Sequence, residues 1–253
     1  MLYEMNKIIK RIFIGSPKNF ESDFESKKTI SSVLVNFGFC SARAAKNFCL
    51  RNEVVVNGEK ISDRKFLVSK DDDILVNEEK IILPDEVYVF LDKPEGFVSS
   101  HASDSHRTVY ELVPREVREY CTRTRGLSPL HSVGRLDAET TGLLILTTDG
   151  FFSHFFSSPE NEIRKKYEVL LRDFVGEAEQ GEYTRACARG MILPPEKKAA
   201  AEKAAPSELS FISGNECEIT VTEGKFHEVR RIFRALGNEV VKLRRTEFGQ
   251  WRL

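Results

Sequence analysis

Residues 143–146 read Leu-Leu-Ile-Leu, with Gly142 before them and Thr147-Thr148-Asp149-Gly150 after. A run this short and this apolar, bounded by turn residues, predicts a β-strand. Such a strand holds the preceding loop rigidly, and that loop reads Gly134-Arg135-Leu136-Asp137. Arg135 and Asp137 are therefore expected at the mouth of a sheet, where a carboxylate beside a guanidinium stays ionised because positive charge favours its charged form. An ionised aspartate in a loop of this kind can act as a nucleophile or as an electrostatic stabiliser. The same spacing also allows a plain salt bridge that ties the loop down. Glu139 beside Asp137 leaves a two-carboxylate site open as well.

At 253 residues the chain accommodates one or two domains with a real core. Lys plus Arg number 38 against 39 Asp plus Glu, a net charge of -1, so a polyanion must be met by local basic clusters. No apolar run approaches the roughly 20 residues that span a bilayer. Asn6, Lys7, Lys10 and Arg11 break the first stretch before a signal-peptide core can form, which points to a cytoplasmic protein with no membrane partner. The cysteines (Cys40, Cys49, Cys121, Cys187 and Cys217) form no CxxC pair and are odd in number, so they are expected as packed thiols. The histidines show no HExxH spacing, and neither GxGxxG nor GxxxxGK[ST] occurs. No metal and no cofactor are expected.

Residues 1–27 are polar and irregular and are expected to be a mobile, disordered leader. Beyond them Ile30, Val33, Leu34 and Phe37 fall at helical spacing and Gly38 follows directly, as in a short amphipathic helix with a glycine cap. Ser41 is the expected N-cap of a second helix that turns Ala45 and Phe48 inward and leaves Arg43, Lys46 and Arg51 for solvent or a ligand. Asn57-Gly58 between apolar runs then signals a hairpin, because a type I′ turn needs positive φ at both positions. Together these make a module over 28–83. A second domain, 84–253, opens with a strand ending in Lys93-Pro94-Glu95-Gly96. Further strands are expected at GLLILTTDG, KKYEVLL and ECEITVTEG, and helices at ELVPREVREYC and EVRRIFRALG. Because strands and helices do not alternate regularly, the expected class is α+β with a mixed, mainly antiparallel sheet. KKAAAEKAAPSE reads as an exposed connection with some helical tendency.

Two features of the second domain bear on binding. Tyr167, Val169 and Leu171 alternate on one face of a strand, either as a site wall or as core. Val229, Ile232, Phe233 and Leu236 trace an apolar helical stripe with Arg230, Arg231 and Arg234 largely off it. From Gly224 to Leu253 eight Lys or Arg face three Glu, which suits a phosphate-binding region, although an ordinary basic surface helix has the same pattern.

GRLDAETTGLLILTTDG resembles the catalytic motif of pseudouridine synthases of the RsuA/RluB/RluE/RluF family, and FGFCSARAAKNFCLRNEVVVNGEKI with DDDILVN resembles the S4 RNA-binding domain that precedes it there. The resemblance covers about residues 28–253. It implies a small S4-like RNA-binding domain over 28–83 and a pseudouridine synthase domain over 84–253. The motif aspartate falls on Asp137 as nucleophile and the motif arginine on Arg135. Tyr167 falls on the K-x-Y tyrosine that walls the flipped base, with Lys165 in the lysine position. Arg230 falls on the basic position expected to pair with the aspartate. Implied RNA contacts are Arg43, Lys46, Arg51, Lys165, Lys225, His227, Arg231 and Arg234. The implied reaction turns a uridine of ribosomal RNA into pseudouridine with no cofactor, in a chain expected to act as a monomer. Phe226-His227 and Ser157-Ser158-Pro159 resemble the members that act on small-subunit (16S) rRNA, free or in an assembling particle. A 23S target, or a non-catalytic RNA-binding or ribosome-assembly factor, are the alternatives. Glu228 stands where the family commonly has Gln, and the chain stops at Leu253, short of the family's usual final strand.

Overall fold

A computed structural model describes residues 8–15, 27–197 and 199–253. The Ile30–Asn36 helix starts at Thr29, whose hydroxyl accepts the Ser32 amide at 3.2 Å. It ends at Phe37, after which Gly38 takes φ 82°. The next helix, Ala45–Arg51, differs from expectation at its start: Ala44 and not Ser41 is the cap, and the Ser41 carbonyl instead closes a turn on the Ala44 amide at 2.9 Å. Asn57 and Gly58 adopt φ 51° and 83°, the pair of left-handed residues that a two-residue hairpin requires. Four short antiparallel strands follow in the order Glu59–Lys60, Val54–Val56, Ile74–Val76, Glu79–Ile81. Ile30, Leu34, Cys49, Val54, Ile74 and Val76 close one buried core between these strands and the two helices.

The larger sheet runs Ile9–Ile14, Val87–Lys93, Thr140–Thr147, Val240–Phe248, Lys165–Leu171, Glu216–Val221, Glu208–Phe211. Only Thr140–Thr147 beside Val240–Phe248 is parallel along this path. Pleating divides its central strands between two cores. Val87, Val89, Leu91, Leu144 and Leu146 face the Arg115–Arg123 and Glu228–Ala235 helices, joined by Val117, Ile232 and Phe233. Tyr88, Phe90, Leu143 and Ile145 face an aromatic layer of Phe152, Phe156, Phe248 and Trp251. Trp251–Arg252 folds back on Val240–Phe248, which seats the last tryptophan in that layer. The class is α+β with a mainly antiparallel sheet, as expected from the sequence. No helix among the described residues is long and apolar enough to cross a membrane.

Two expectations are corrected. Ile9–Ile14 is not part of an irregular leader but an edge strand of the larger sheet, paired with Val87–Lys93 and bringing Ile9 and Ile12 into its core. The rest of residues 1–26, apart from 8–15, lies outside the described residues. The Ala-rich connection is not helical: Ile192–Leu193 pairs with Glu202–Lys203, and Glu196 bridges to Ala199. The small module and the sheet meet at specific contacts. The Lys28 ammonium pairs with Glu86 at 2.5 Å and donates to the Gly126 carbonyl at 3.2 Å. Arg125 donates to the Phe37 carbonyl at 3.0 Å, pairs with Glu79 at 2.7 Å and lies over the Phe37 and Phe39 rings.

Candidate active site

The loop before the Thr140–Thr147 strand is gripped from three sides. Ser99 accepts the Leu136 amide at 3.1 Å and donates to the Leu136 carbonyl at 3.0 Å, so one hydroxyl pins both backbone groups of that residue. The Ala138 carbonyl accepts from the Gly96 amide at 2.8 Å and from the Lys93 ammonium at 3.2 Å. Lys93 is fully buried, and that burial pulls its pKa down to about 8 against the opposing pull of Asp137 and Glu95. The Lys93-Pro94-Glu95-Gly96 turn is thus the bracket of the Asp137 loop.

Asp137 keeps 43 % of its side chain exposed and opens into a cleft of about 520 Å³. Arg135, Lys165, Tyr167, Lys225, His227, Arg230 and Arg245 share that lining. This volume lies within the range of small-molecule sites, which are about 300 to 1,000 Å³. The expected neighbour of Asp137 is corrected here. Arg135 is exposed and makes no ion pair among the described residues, whereas the His227 Nε2 lies 3.5 Å from Asp137 Oδ1. His227, expected as an RNA contact, is therefore part of the carboxylate's own surroundings. Arg230 also departs from its expected pairing: it donates to the Val240 carbonyl at 3.0 Å and meets Glu139 at 3.5 Å.

Tyr167 forms a buried wall of the cleft. Burial pushes its phenol up, and the adjacent Arg245 guanidinium offsets part of that rise. Arg245 is directly opposite Tyr167 across the Lys165–Leu171 and Val240–Phe248 pair. It is only 2 % exposed, donates from Nε to the Leu143 carbonyl at 2.7 Å, and lies over the Phe248 ring. Its Nη2 is buried without a hydrogen-bond partner. An unmet buried donor is costly, and this guanidinium stands beside the buried Tyr167 phenol in the cleft wall. Sequence reasoning counted Arg245 only as bulk charge. The alternation Leu243-x-Arg245, which puts it on an inward face, was the available signal.

The remaining expected RNA contacts divide sharply. Arg43, Lys46 and Arg51 are exposed and make no ion pair among the described residues. Lys165 is buried, bonded to the Ile163 carbonyl at 3.0 Å, and lowered to about 8 by burial and then by Arg245. Lys225 is paired with Glu223, and Arg234 with Glu196 at 3.0 Å. Arg231 overturns its expected role entirely. It is fully buried and donates to the carbonyls of Pro194 and Ala200 at 2.9 and 2.7 Å and to Glu202 at 2.7 Å. Its helix does present it off the apolar stripe, but the 192–203 hairpin folds over that flank and takes most of its donors, with the Phe226 carbonyl accepting another at 3.2 Å. Glu228 is buried in the cleft lining, where desolvation and then Glu223 raise its pKa to about 7.

Chemically, the cleft offers one partly exposed carboxylate, an imidazole beside it, an aromatic wall and a buried guanidinium. Residues 87–235 match the family model described as RNA pseudouridylate synthase. A curated relative, ribosomal small subunit pseudouridine synthase A of Haemophilus influenzae, is 35% identical over 218 residues, covering 86% of this chain and 86% of that protein. The protein of the same name from Pasteurella multocida is 35% identical over 216 residues, 85% of each chain. Among solved structures, one titled crystal structure of pseudouridylate synthase superposes with a TM-score of 0.58 at 33% identity, covering 89% of this chain and 90% of that one. On the strength of this cleft and these matches, the chain belongs to the RNA pseudouridylate synthase family.

Proposed function

We propose that the protein converts a uridine of small-subunit (16S) ribosomal RNA into pseudouridine, with Asp137 as nucleophile and a small S4-like domain over 28–83 gripping the RNA. The observation that carries this reading is the position of the Asp137 carboxylate, open to a cleft whose opposite wall is buried Tyr167 and Arg245. In the isomerisation the C1′–N1 bond breaks, the uracil turns, and a C1′–C5 bond forms. C5 loses a proton and N1 gains one, so atoms balance with no external donor.

Each wall has a task in this scheme. The target base must leave its stack, at a price of roughly a few kcal/mol that backbone contacts offset. Tyr167 supplies a flat face for the extruded ring, and the Arg245 guanidinium behind it keeps a positive charge in the cleft wall. Arg43, Lys46 and Arg51, without carboxylate partners among the described residues, are placed to meet phosphates. The names of the relatives favour a small-subunit target over a 23S one, and a cytoplasmic monomer suffices for such a substrate.

The test is carbodiimide mapping of rRNA from a strain lacking the protein, complemented with wild type or with Asp137→Asn. Loss of one 16S stop, restored only by wild type, is the expected result. A missing 23S stop would move the substrate to the large subunit. An unchanged map, or restoration by Asp137→Asn, would leave a non-catalytic RNA-binding factor.

A further inference from the structure

We infer that Glu196, a residue outside the cleft lining, is a positioning residue for the isomerisation, acting through His227 on the direction of the Asp137 carboxylate; this rests on the reading of Asp137 as nucleophile. The three groups stand in line. Glu196 Oε1 lies 3.0 Å from His227 Nδ1, and His227 Nε2 lies 3.5 Å from Asp137 Oδ1. An ionised carboxylate accepts only, so the first contact places a proton on Nδ1. Burial alone would raise Glu196, but the His227 hydrogen bond and the Arg234 guanidinium outweigh it and hold the carboxyl below its ordinary value. A ring that gives its Nδ1 proton to Glu196 can hold the Asp137 carboxylate only by giving a second proton from Nε2, so the positioning form is the imidazolium, donating to both carboxylates.

Every part of the line is held from behind. Arg234 takes the other oxygen of Glu196 at 3.0 Å, and the Glu196 and Ala199 backbones exchange hydrogen bonds of 2.9 and 2.8 Å. Buried Arg231 fastens the same hairpin through the carbonyls of Pro194 and Ala200. The Phe226 ring stacks on the imidazole at 3.8 Å between centroids, which leaves the ring little freedom to turn. His227 itself sits at φ 49°, a left-handed conformation unusual for a residue with a side chain, at the start of the Glu228–Ala235 helix. An ionised aspartate has no proton to give up, so the imidazole here serves to hold the carboxylate's direction and not to act as its base. The charged groups facing this line are Asp137, Glu196 and Arg234, with Lys93 acting on Asp137 from the opposite strand. The hairpin that reads in the sequence as a solvent-exposed connection is thus the rear wall of the nucleophile.

A double-mutant cycle in the full-length protein tests this, with tritium release from C5-labelled RNA as the rate and filter binding as the affinity. Glu196→Gln keeps the shape and removes the charge. It is expected to lower the single-turnover rate constant about 10- to 100-fold, the scale of a misaligned nucleophile, with RNA affinity within about twofold of wild type. In the His227→Asn background the same change is expected to do nothing further, because the relay is already cut. Multiplicative losses, or a loss of affinity at unchanged rate, would overturn the proposal. A second readout needs no turnover: ¹⁵N spectra of the imidazole are expected to show protons on both Nδ1 and Nε2 of His227 in the wild type, with the Nδ1 proton losing protection in Glu196→Ala. A ring carrying one proton only would overturn the proposal even if the variants are slow. Absence of tritium release from the wild type would sink the functional reading instead, with the imidazole spectrum still deciding whether Glu196 fixes His227.

Discussion

Gly142 and Arg245 touch backbone to backbone where the two parallel strands pair: a Cβ on Gly142 would lie 2.1 Å from the Arg245 carbonyl oxygen. Gly142 also takes φ 103°, which side-chain-bearing residues rarely adopt. This one contact ties the end of the Asp137 loop to the strand that carries the buried guanidinium. Gly142→Ala is therefore expected to lose about 3 kcal/mol of stability, at the upper end of single-residue effects, and to misplace both groups. Urea denaturation, with the midpoint and slope read separately, checks this; a shift below about 0.5 kcal/mol would contradict the close approach.

Arg245→Met removes a buried guanidinium from the cleft wall while keeping much of the stem's packing. If Nη2 holds a substrate oxygen, the lost charge-assisted bond is worth about 1.5 to 3 kcal/mol, or roughly 10- to 150-fold in kcat/KM. Single-turnover assays at several RNA concentrations measure it. Unchanged kcat/KM would mean that the guanidinium serves the fold alone.

Arg231→Met separates a structural arginine from an RNA-binding one. Its guanidinium is fully buried, so removing it strands Glu202 and the carbonyls of Pro194, Ala200 and Phe226, and a loss of about 3 to 5 kcal/mol is expected. The salt dependence of RNA binding by the folded fraction should not change. A shallower salt slope with normal stability would return Arg231 to the RNA surface.

Glu228 gives a pH dependence with a definite sign. Its folded pKa is raised to about 7 from the usual 4.5, so the folded state holds a proton that the unfolded state has released. That contribution is fully present below about pH 4.5 and is lost as pH rises through about 7. Glu228→Gln removes the dependence, so relative to wild type the variant should be more stable at pH 8 than at pH 5 by on the order of 2 kcal/mol. Paired denaturation curves at the two pH values decide it, and a difference that stays flat would place the Glu228 proton elsewhere.

Neutralising Arg43 and Lys46 together should weaken RNA binding and reduce the slope of log affinity against log salt by about one to two, since each phosphate contact contributes a little under one. Stability should stay within about 0.5 kcal/mol, because both side chains are exposed. An unchanged slope would remove the small domain from the RNA interface.

What the sequence makes legible is what depends on near neighbours. Asn57-Gly58 names its own turn, and Leu143 to Leu146 name their strand, because turn chemistry and apolar runs are local. The Asp137 loop follows from that strand. Arg231 misleads because a helical stripe reports only the helix's own apolar flank, not a hairpin 30 residues earlier that folds over the polar one. Ile9–Ile14 escapes notice for a different reason: a register shift between Ile9 and Arg11 breaks the alternation, so buried Ile9 and Ile12 fall three apart instead of two or four. Glu196 has no motif at all, and its place is set by tertiary contacts on both sides.

The edge strand has a consequence for how the molecule is put together. Ile9–Ile14 and Val87–Lys93 lie side by side, and the Gly15 amide bonds to the Glu86 carbonyl at 2.8 Å, so residues 15 and 86 are neighbours. The helical N-terminal unit is therefore a detour out of one sheet and back into it, anchored at both its entrance and its exit. One nick near residue 84 would not set it free, and trimming the chain to residue 28 would strip a ribbon from the catalytic half. Grafting this unit onto another enzyme requires two junctions.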